Sequence, residues 1–296
     1  MNGITEKAVL ALSVLFFISI PSAGAVENPS HPSELNLSAR QKAGFLLARK
    51  QYEEALQVYK SLLKKESEDG SLFRGLVKAY DGAGKLNEAE NFIKDYLSAH
   101  PGSSAGQYGL GYFYYLRGDD SRAQARFEEA VRLRAGNALA WNNLGASLSR
   151  TKSYTLAVEK VKEAIRLDSS NPMYYNNLQR IYRELGSAGL FIADYNRYVK
   201  EGPRLVAQGY GRLIATTMRQ EAFQHYSQGS LDSAIRKFRE IVVIFEETGY
   251  RAGLVSVFFG LAVLHEEKGD EEMAQKYFKD VLSINPNHLQ AREKVK

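Results

Sequence analysis

Residues 110–119, LGYFYYLRGD, combine four consecutive aromatic side chains with flanking glycines. Such a run could stack nucleic-acid bases, form a glycine-rich phosphate loop or lie in a strand. The spacing around it indicates a helix instead, because two stripes recur at helical intervals. One stripe comprises Gln107, Leu110, Gly111 and Tyr114, and the other comprises Tyr108, Tyr112 and Tyr115. The aromatic run is therefore predicted to lie on two faces of one helix.

No residue spacing in the chain is typical of a catalytic or metal site. The five histidines, His31, His100, His225, His265 and His288, show no ligand spacing such as H-E-x-x-H. The chain contains no cysteine, which excludes disulfides, thiolate metal sites and a cysteine nucleophile. It also lacks a G-x-S-x-G elbow, a Walker loop and a dinucleotide fingerprint. We predict a protein without enzymatic activity, bound metal or cofactor.

The first 25 residues have the pattern of a secretory signal peptide. The apolar run Ala8–Ile20 is too short to span about 30 Å of hydrocarbon, and Ala23 and Ala25 form an A-x-A cleavage site. An anchor that is not cleaved is the alternative. Residues 26–35 are rich in proline and serine and are predicted to form a flexible leader. We therefore expect an exported chain.

Composition bounds where the exported chain acts and what it binds. A cysteine-free chain folds without oxidation, which suits a bacterial periplasm, with full secretion as the alternative. No other apolar run approaches membrane length, so no membrane span is expected in the mature chain. The net charge of +5 favours acidic partner surfaces. It is not the concentrated basic block of a nucleic-acid-binding protein, and nucleic acid is not expected as a partner.

An internal repeat with a period of 34 residues runs through the chain. Shifting residues 140–171 back by 34 places Leu144 on Leu110 and Gly145 on Gly111, and a second shift reaches Leu76. Apolar residues recur within each unit at i, i+3, i+4 and i+7. Each unit is therefore predicted to form two amphipathic helices joined by a turn that contains glycine or polar residues.

This pattern resembles the tetratricopeptide repeat, which has large, small and aromatic residues at fixed unit positions. Matching residues in one unit are Trp141, Leu144, Gly145, Tyr154, Ala157 and Ala164. Those near the C-terminus are Phe258, Leu261, Ala262, Gly269, Ala274, Phe278 and Pro286. The resemblance implies an all-α fold in which about seven tandem helix-turn-helix units stack into a right-handed α-solenoid.

The resemblance divides the chain into seven units and two additional segments. The units are 36–69, 70–103, 104–137, 138–171, 172–205, 215–248 and 255–288. Residues 206–214 are predicted to form an irregular insert or hinge, in which GYG at 209–211 is a turn. Residues 249–254 are predicted to lengthen the flanking helices, and 289–296 to form a C-terminal capping helix.

In relatives of this fold, the first helix of each unit lines a concave groove. Groove positions here are occupied by Arg74, Lys78, Tyr108, Tyr112, Tyr115, Asn142, Arg150, Asn176, Arg180 and Arg183. Asn143 and Asn177 occupy a position at which asparagine can bind a peptide backbone in such relatives. The resemblance therefore implies a groove that binds an extended protein or peptide segment through tyrosine area and arginine–carboxylate pairs.

Two further interpretations of these residues stay open. The tyrosine rings could pack against flanking helices, and the Asn/Arg set could be a solvated surface with salt bridges inside the array.

For function, we expect an interaction scaffold or adaptor within a cell-envelope assembly or secretion complex. The alternative is a structural repeat protein that self-associates.

Overall fold

The computed structural model describes residues 38–295, in which every regular element is an α-helix. The helices are α1 Ala39–Ala48, α2 Tyr52–Leu63, α3 Gly70–Gly82, α4 Leu86–Ala99, α5 Ser104–Leu116, α6 Asp120–Leu133, α7 Ala138–Arg150, α8 Tyr154–Leu167, α9 Pro172–Glu184, α10 Gly189–Glu201, α11 Arg204–Ser227, α12 Leu231–Thr248, α13 Arg251–Lys268, α14 Glu271–Ile284 and α15 Leu289–Lys294. The signal peptide at 1–25 and the leader at 26–35 lie outside the described residues. The all-α fold predicted from the repeat is confirmed.

The described chain divides into two compact units, one ending at Phe191 and the other beginning at Ile192. In the first unit, α1, α3, α5, α7 and α9 each pack against the next member of that series. The helix between two such members packs on both of them. This is a stack of helix hairpins, in which each hairpin buries its apolar face only against its neighbours.

The 34-residue period has a direct structural meaning at the helix starts of the first unit. The N-cap residues of α3, α5, α7 and α9 are Asp69, Ser103, Asn137 and Asn171, each 34 residues after the last. Each side chain accepts a hydrogen bond from a backbone N–H in the first turn of its helix. Because those N–H groups have no partner within the helix, the cap residue marks where each hairpin begins.

The turn inside each hairpin repeats with the same period. Residues with positive φ occur at Lys50, Gly84, Gly118, Lys152 and Gly186. This left-handed conformation ends a helix and favours glycine, so the two lysines adopt it at a cost. One left-handed residue per hairpin reverses the chain at a constant interval.

Small residues allow the two helices of a hairpin to approach closely. A Cβ atom added at Gly145 on α7 would lie 2.5 Å from Val161 Cγ2 and 2.8 Å from the backbone oxygen of Ala157, both on α8. A Cβ at Gly111 on α5 would lie 2.7 Å from the ring of Phe127 on α6. The small residues of the sequence pattern therefore lie at the hairpin crossings, and backbone contact leaves no space there.

The second unit contains longer helices, and one expectation about it is wrong. Residues 206–214, predicted to be an irregular insert, are part of the 24-residue helix α11, and GYG at 209–211 is helical rather than a turn. The physical reason is burial: Val206, Tyr210 and Ile214 recur every four residues and lie in the core. Gly211 faces α12, since a Cβ atom added at Gly211 would lie 2.9 Å from Cγ2 of Ile244.

The predicted lengthening around 249–254 is found, since α12 and α13 each have 18 residues against 13 or 14 for α3 to α9. A terminal helix, α15, lies within 289–296 and packs on α14. Among residues 38–295, no helix combines the length and apolar character that crossing a membrane requires.

Candidate protein-interaction surface

The three tyrosines of α5 form a parallel stack along one helix face. Tyr108 and Tyr112 have ring centroids 6.3 Å apart at 15°, and Tyr112 and Tyr115 are 6.3 Å apart at 18°. Tyr115 is half-buried, whereas Tyr112 is 6% exposed and Tyr108 is fully buried. Burial raises the pKa of the Tyr108 and Tyr112 hydroxyls, which therefore stay neutral at ordinary pH.

The expectation that Tyr108 faces an open groove is wrong. Its ring packs against Gly70, since a Cβ atom added there would lie 3.0 Å from Tyr108 Cδ1. The centroid of the same ring lies 5.8 Å from that of Phe127. Because Gly70 has no side chain, α3 approaches α5 closely and covers the ring. Tyr112 is also largely covered, so packing against flanking helices describes both residues better than contact with a partner.

The asparagines form a buried hydrogen-bond ladder across three helices. Asn177 on α9 donates from Nδ2 to Oδ1 of Asn142 on α7 at 2.9 Å, and Asn142 donates to Oδ1 of Asn143 at 2.9 Å. Asn143 donates to the Tyr108 hydroxyl at 3.2 Å. Asn142 is 0% exposed and Asn143 5%, which corrects their assignment to an open groove. These amides bond to each other and hold the first helices of successive hairpins together.

Arg74 and Lys78 lie one turn apart on α3, beside the tyrosine stack. The Arg74 guanidinium carbon is 5.7 Å from the centroid of the Tyr112 ring, and its Nε is buried without a hydrogen-bond acceptor. The Lys78 side chain is exposed, yet burial around its ammonium and the Arg74 charge lower its pKa. Within residues 38–295 no carboxylate lies at ion-pair distance from either cation. The pair therefore concentrates positive charge that the fold does not neutralise.

Two other predicted arginines are bonded within the first unit. Arg150 donates to the backbone oxygen of Tyr115 at 2.8 Å and pairs with Asp120 at 3.2 Å. Arg180 pairs with Glu184 at 2.7 Å. These contacts fit the alternative expectation of salt bridges inside the array.

The Glu184 carboxylate also links two helices, because it accepts a hydrogen bond from the buried Ser149 of α7. Burial alone would raise the pKa of Glu184, but the Ser149 and Arg180 contacts outweigh it and lower the pKa. Asn176 and Arg183 are exposed on α9, and Asn176 donates to the backbone oxygen of Pro172 at 3.0 Å. Of the predicted set, Arg74, Lys78, Tyr115, Asn176 and Arg183 are at least partly exposed and form no ion pair within residues 38–295, and their partner binding stays a prediction.

Comparisons with known proteins identify the repeat. Three tetratricopeptide repeat family models match residues 46–110, 119–172 and 255–288, which together make up about half of the chain. The chain belongs to the tetratricopeptide repeat family. Tetratricopeptide repeats are an interaction fold that is generally non-catalytic, so this chain is a protein-interaction scaffold.

Two of the similar solved structures are described as TPR proteins. The C-terminal part of a TPR repeat-containing protein from Cytophaga hutchinsonii is 19% identical, over 88% of this chain and 100% of that one, with a TM-score of 0.39. The APC/C hetero-tetramer Cut9–Hcn1 is 17% identical over 86% of this chain and 48% of that one, with a TM-score of 0.42. YrrB, described as a TPR protein with an unusual peptide-binding site, is 18% identical over 79% and 96%, with a TM-score of 0.33. No curated protein matches the chain.

The tetratricopeptide register points to residues in the second unit that sequence reasoning missed. Arg219 occupies the same unit position as Tyr108, and Ser256 the second position of the following unit. The two side chains meet, since Arg219 donates from a terminal guanidinium nitrogen to the Ser256 hydroxyl at 2.8 Å. The unit positions that selected Arg74 also identify Arg219 and Ser256 when they are applied to the units after Arg183.

Proposed function

We propose that this tetratricopeptide protein binds an extended acidic segment of a partner protein across the α3–α5 face of its first unit. The observation that carries the proposal is the Arg74–Lys78 pair, two adjacent cations with no carboxylate at ion-pair distance among the described residues. Arg74 lies beside Tyr112, and the half-buried ring of Tyr115, which stacks on Tyr112, supplies contact area at a low cost in conformational entropy.

Electrostatics supports an acidic ligand for this face. The charge of Arg74 already opposes that of Lys78, and partial burial weakens the solvation of both groups. A carboxylate placed between them would relieve the repulsion. It would also accept hydrogen bonds from the N–H groups of Arg74 and Lys78, which water solvates only in part. The half-buried ring of Tyr115, 4.7 Å from the Arg150 guanidinium carbon, would flank the bound segment.

Charge reversal tests this face against a matched control. The full-length variant Arg74→Glu/Lys78→Glu and the control Lys42→Glu/Lys64→Glu change the net charge equally, and the control residues are exposed lysines of the same unit. Each is photo-crosslinked in living cells, and the captured proteins are identified by mass spectrometry. We expect the Arg74→Glu/Lys78→Glu variant alone to lose acidic partners by about tenfold or more in yield. An unchanged partner set, with circular dichroism showing both variants folded, would contradict the proposal.

The proposal includes a location, an exported scaffold within a cell-envelope assembly or secretion complex. The apolar run Ala8–Ile20, the A-x-A site that ends at Ala25 and the absence of cysteine support it. Export would place the basic α3–α5 face among envelope proteins rather than nucleic acids. The processed chain would then begin at Val26.

A further inference from the structure

We propose a second anion-binding site, in the second unit, in which Arg212 and Arg219 of α11 bind two carboxylates of an acidic peptide segment. This goes beyond the α3–α5 face, because it rests on other residues of another compact unit. The site comprises Arg212, Arg219, Tyr250 and Ser256, and we call it the α11 arginine site.

The two guanidinium groups of this site are partly buried and lie on aromatic rings. The Arg212 guanidinium carbon lies 5.4 Å from the centroid of the Tyr250 ring, and that of Arg219 lies 5.9 Å from the centroid of Phe245. The Nε atoms of both arginines are buried and have no hydrogen-bond acceptor. Within residues 38–295, the hydrogen-bond partner of the Arg219 guanidinium is a hydroxyl, that of Ser256 at 2.8 Å. Aromatic faces and one hydroxyl neutralise neither charge.

No acidic side chain of the described chain pairs with these two arginines. Glu247, near the end of α12, accepts a hydrogen bond from the Tyr195 hydroxyl at 2.9 Å. Glu221, on α11 itself, pairs with Lys237 at 3.2 Å. These two carboxylates of the same unit thus have other partners, and an anion for the α11 arginine site would come from another molecule.

The energy of burial makes unpaired guanidiniums informative. Removing part of a charged group from water without a counterion is unfavourable and lowers folding stability. Burial also lowers the pKa of Arg219, which shows the same desolvation. An arginine without a counterion lowers the stability of the free protein. Binding of an anionic ligand would supply the counterion, so such arginines are candidate ligand-binding residues.

Arg204, two turns before Arg212 on the same helix, shows the contrasting case of a structural arginine. Its Nε donates to the backbone oxygen of Thr248 at 2.9 Å, and Gln208 donates to the same oxygen at 3.0 Å. Arg204 therefore satisfies the carbonyl of the buried Thr248 at the C-terminal end of α12, which has no acceptor role within the helix. Arg212 and Arg219 have no such bond from Nε, although they share its face of α11.

The spacing of the two arginines selects the shape of the ligand. Seven residues of α-helix place their Cα atoms about 10.5 Å apart along the axis. A peptide in the polyproline II conformation has three residues per turn and rises about 3.1 Å per residue, so acidic side chains three residues apart lie on one face about 9.3 Å apart, close to this interval. The occupant that fits is an extended segment with carboxylates at every third position, held by charge-assisted hydrogen bonds and by the ring of Tyr250.

The experiment uses the full-length protein carrying Arg74→Glu/Lys78→Glu, so that the α3–α5 face does not contribute. The probe is a fluorescein-labelled peptide with glutamate at every third position, and a second peptide carries glutamine there instead. Binding is followed by fluorescence anisotropy. We compare Arg212→Gln/Arg219→Gln with the control Arg251→Gln/Lys279→Gln, which removes two exposed cations of the same unit.

We expect the Arg212→Gln/Arg219→Gln variant to raise the Kd for the glutamate peptide by about tenfold or more, the loss of at least one charge-assisted hydrogen bond. Its Tm should equal or exceed that of its parent, because two unpaired buried charges are removed. Unchanged affinity, or an equal loss in the control, would overturn the proposal. A lowered Tm with unchanged affinity would also overturn it, since the arginines would then be structural. The crosslinking result for Arg74 and Lys78 is obtained separately, so either proposal can fail alone.

Discussion

At the scale of single residues, the chain treats arginine in two ways. Arg150 and Arg204 donate to backbone oxygens at helix ends, at 2.8 Å and 2.9 Å. Arg74, Arg212 and Arg219 instead lie beside aromatic rings with a buried Nε that has no acceptor. The first kind stabilises the fold, whereas the second is partly desolvated and has no carboxylate partner among the described residues. This difference, rather than charge alone, separates candidate binding residues from structural ones.

The buried asparagine ladder gives a residue-scale prediction. Asn142→Ala removes the acceptor of Asn177 and the donor to Asn143, leaving buried amide groups without partners. We expect it to lower the free energy of unfolding by about 1–3 kcal/mol in urea titrations. The control is Asn176→Ala, whose exposed amide bonds only to the backbone of its own helix and which should change stability by less than about 0.5 kcal/mol. Equal losses in the two variants would contradict a structural role for the ladder.

At the scale of helices and turns, regular spacing depends on one left-handed residue per hairpin. Gly118 adopts it freely at φ 77°, whereas Lys152 adopts it at φ 63° with a Cβ atom that this conformation disfavours. The N-cap residues follow the same interval, so each hairpin has a defined start and a defined turn. This repeated geometry explains why the period survives although most side chains differ between units.

Relief of the strain at Lys152 gives an element-scale prediction. Lys152→Gly should raise the free energy of unfolding by up to about 1 kcal/mol, since the strain relieved exceeds the added entropy of the unfolded chain. Lys152→Ala removes the same charge but keeps a Cβ atom, and should give no gain. Both are measured by urea unfolding monitored by circular dichroism. A gain of the same size in both variants would assign the effect to charge instead.

The cap of the last helix is predicted to respond to pH. His288 accepts a hydrogen bond at Nδ1 from the backbone N–H of Ala291, which requires the neutral ring. Burial lowers the pKa of His288 below its ordinary value near 6.5. Its contribution to stability is therefore complete above about pH 6.5 and is lost as pH falls through the folded-state value.

The measurement compares the wild type with His288→Asn, because asparagine caps a helix without titrating. Between pH 8 and pH 5, wild-type stability should fall by up to about 1 kcal/mol relative to the variant, as recorded by urea unfolding at each pH. A stability difference that is the same at both pH values would show that His288 does not titrate in this range.

At the scale of the whole molecule, the net charge of +5 accords with two proposed sites that each take an acidic segment. Arg74, Arg212 and Arg219 are partly buried, so added salt should weaken their binding to carboxylates less than it weakens exposed ion pairs. The proposed export of the chain would bring both sites to the same compartment as their partner. The compartment that contains the protein therefore limits which acidic proteins can bind to these two sites.

Processing of the N-terminus gives the whole-molecule prediction. If the chain is exported as proposed, the protein purified from its native organism should begin at Val26, because cleavage follows the A-x-A site that ends at Ala25. Intact mass and N-terminal sequencing measure this directly. Ala23→Asp/Ala25→Asp should block cleavage and leave the longer chain attached to the membrane. A chain that begins at Met1 in the cytosolic fraction would contradict export.

The sequence by itself determined the class of fold, the 34-residue period and the family. These follow from local chemistry that each unit repeats, such as apolar residues at helical spacing and small residues like Gly145 at the crossings. The absence of catalytic and metal motifs likewise needed no structure to state as an expectation. Local signals recur in every unit, so one weak unit does not hide the pattern.

Only the tertiary structure decided which groove residues are exposed. A position on a helix sets the direction of a side chain, but Tyr108 is buried because Gly70 of another helix lets the chain close over it. Residues 206–214 contain two glycines, a local signal for a break. They are helical nevertheless, because Tyr210 and its neighbours bury an apolar stripe. Burial depends on residues distant in the sequence, and so do the unpaired guanidiniums that the two proposals use.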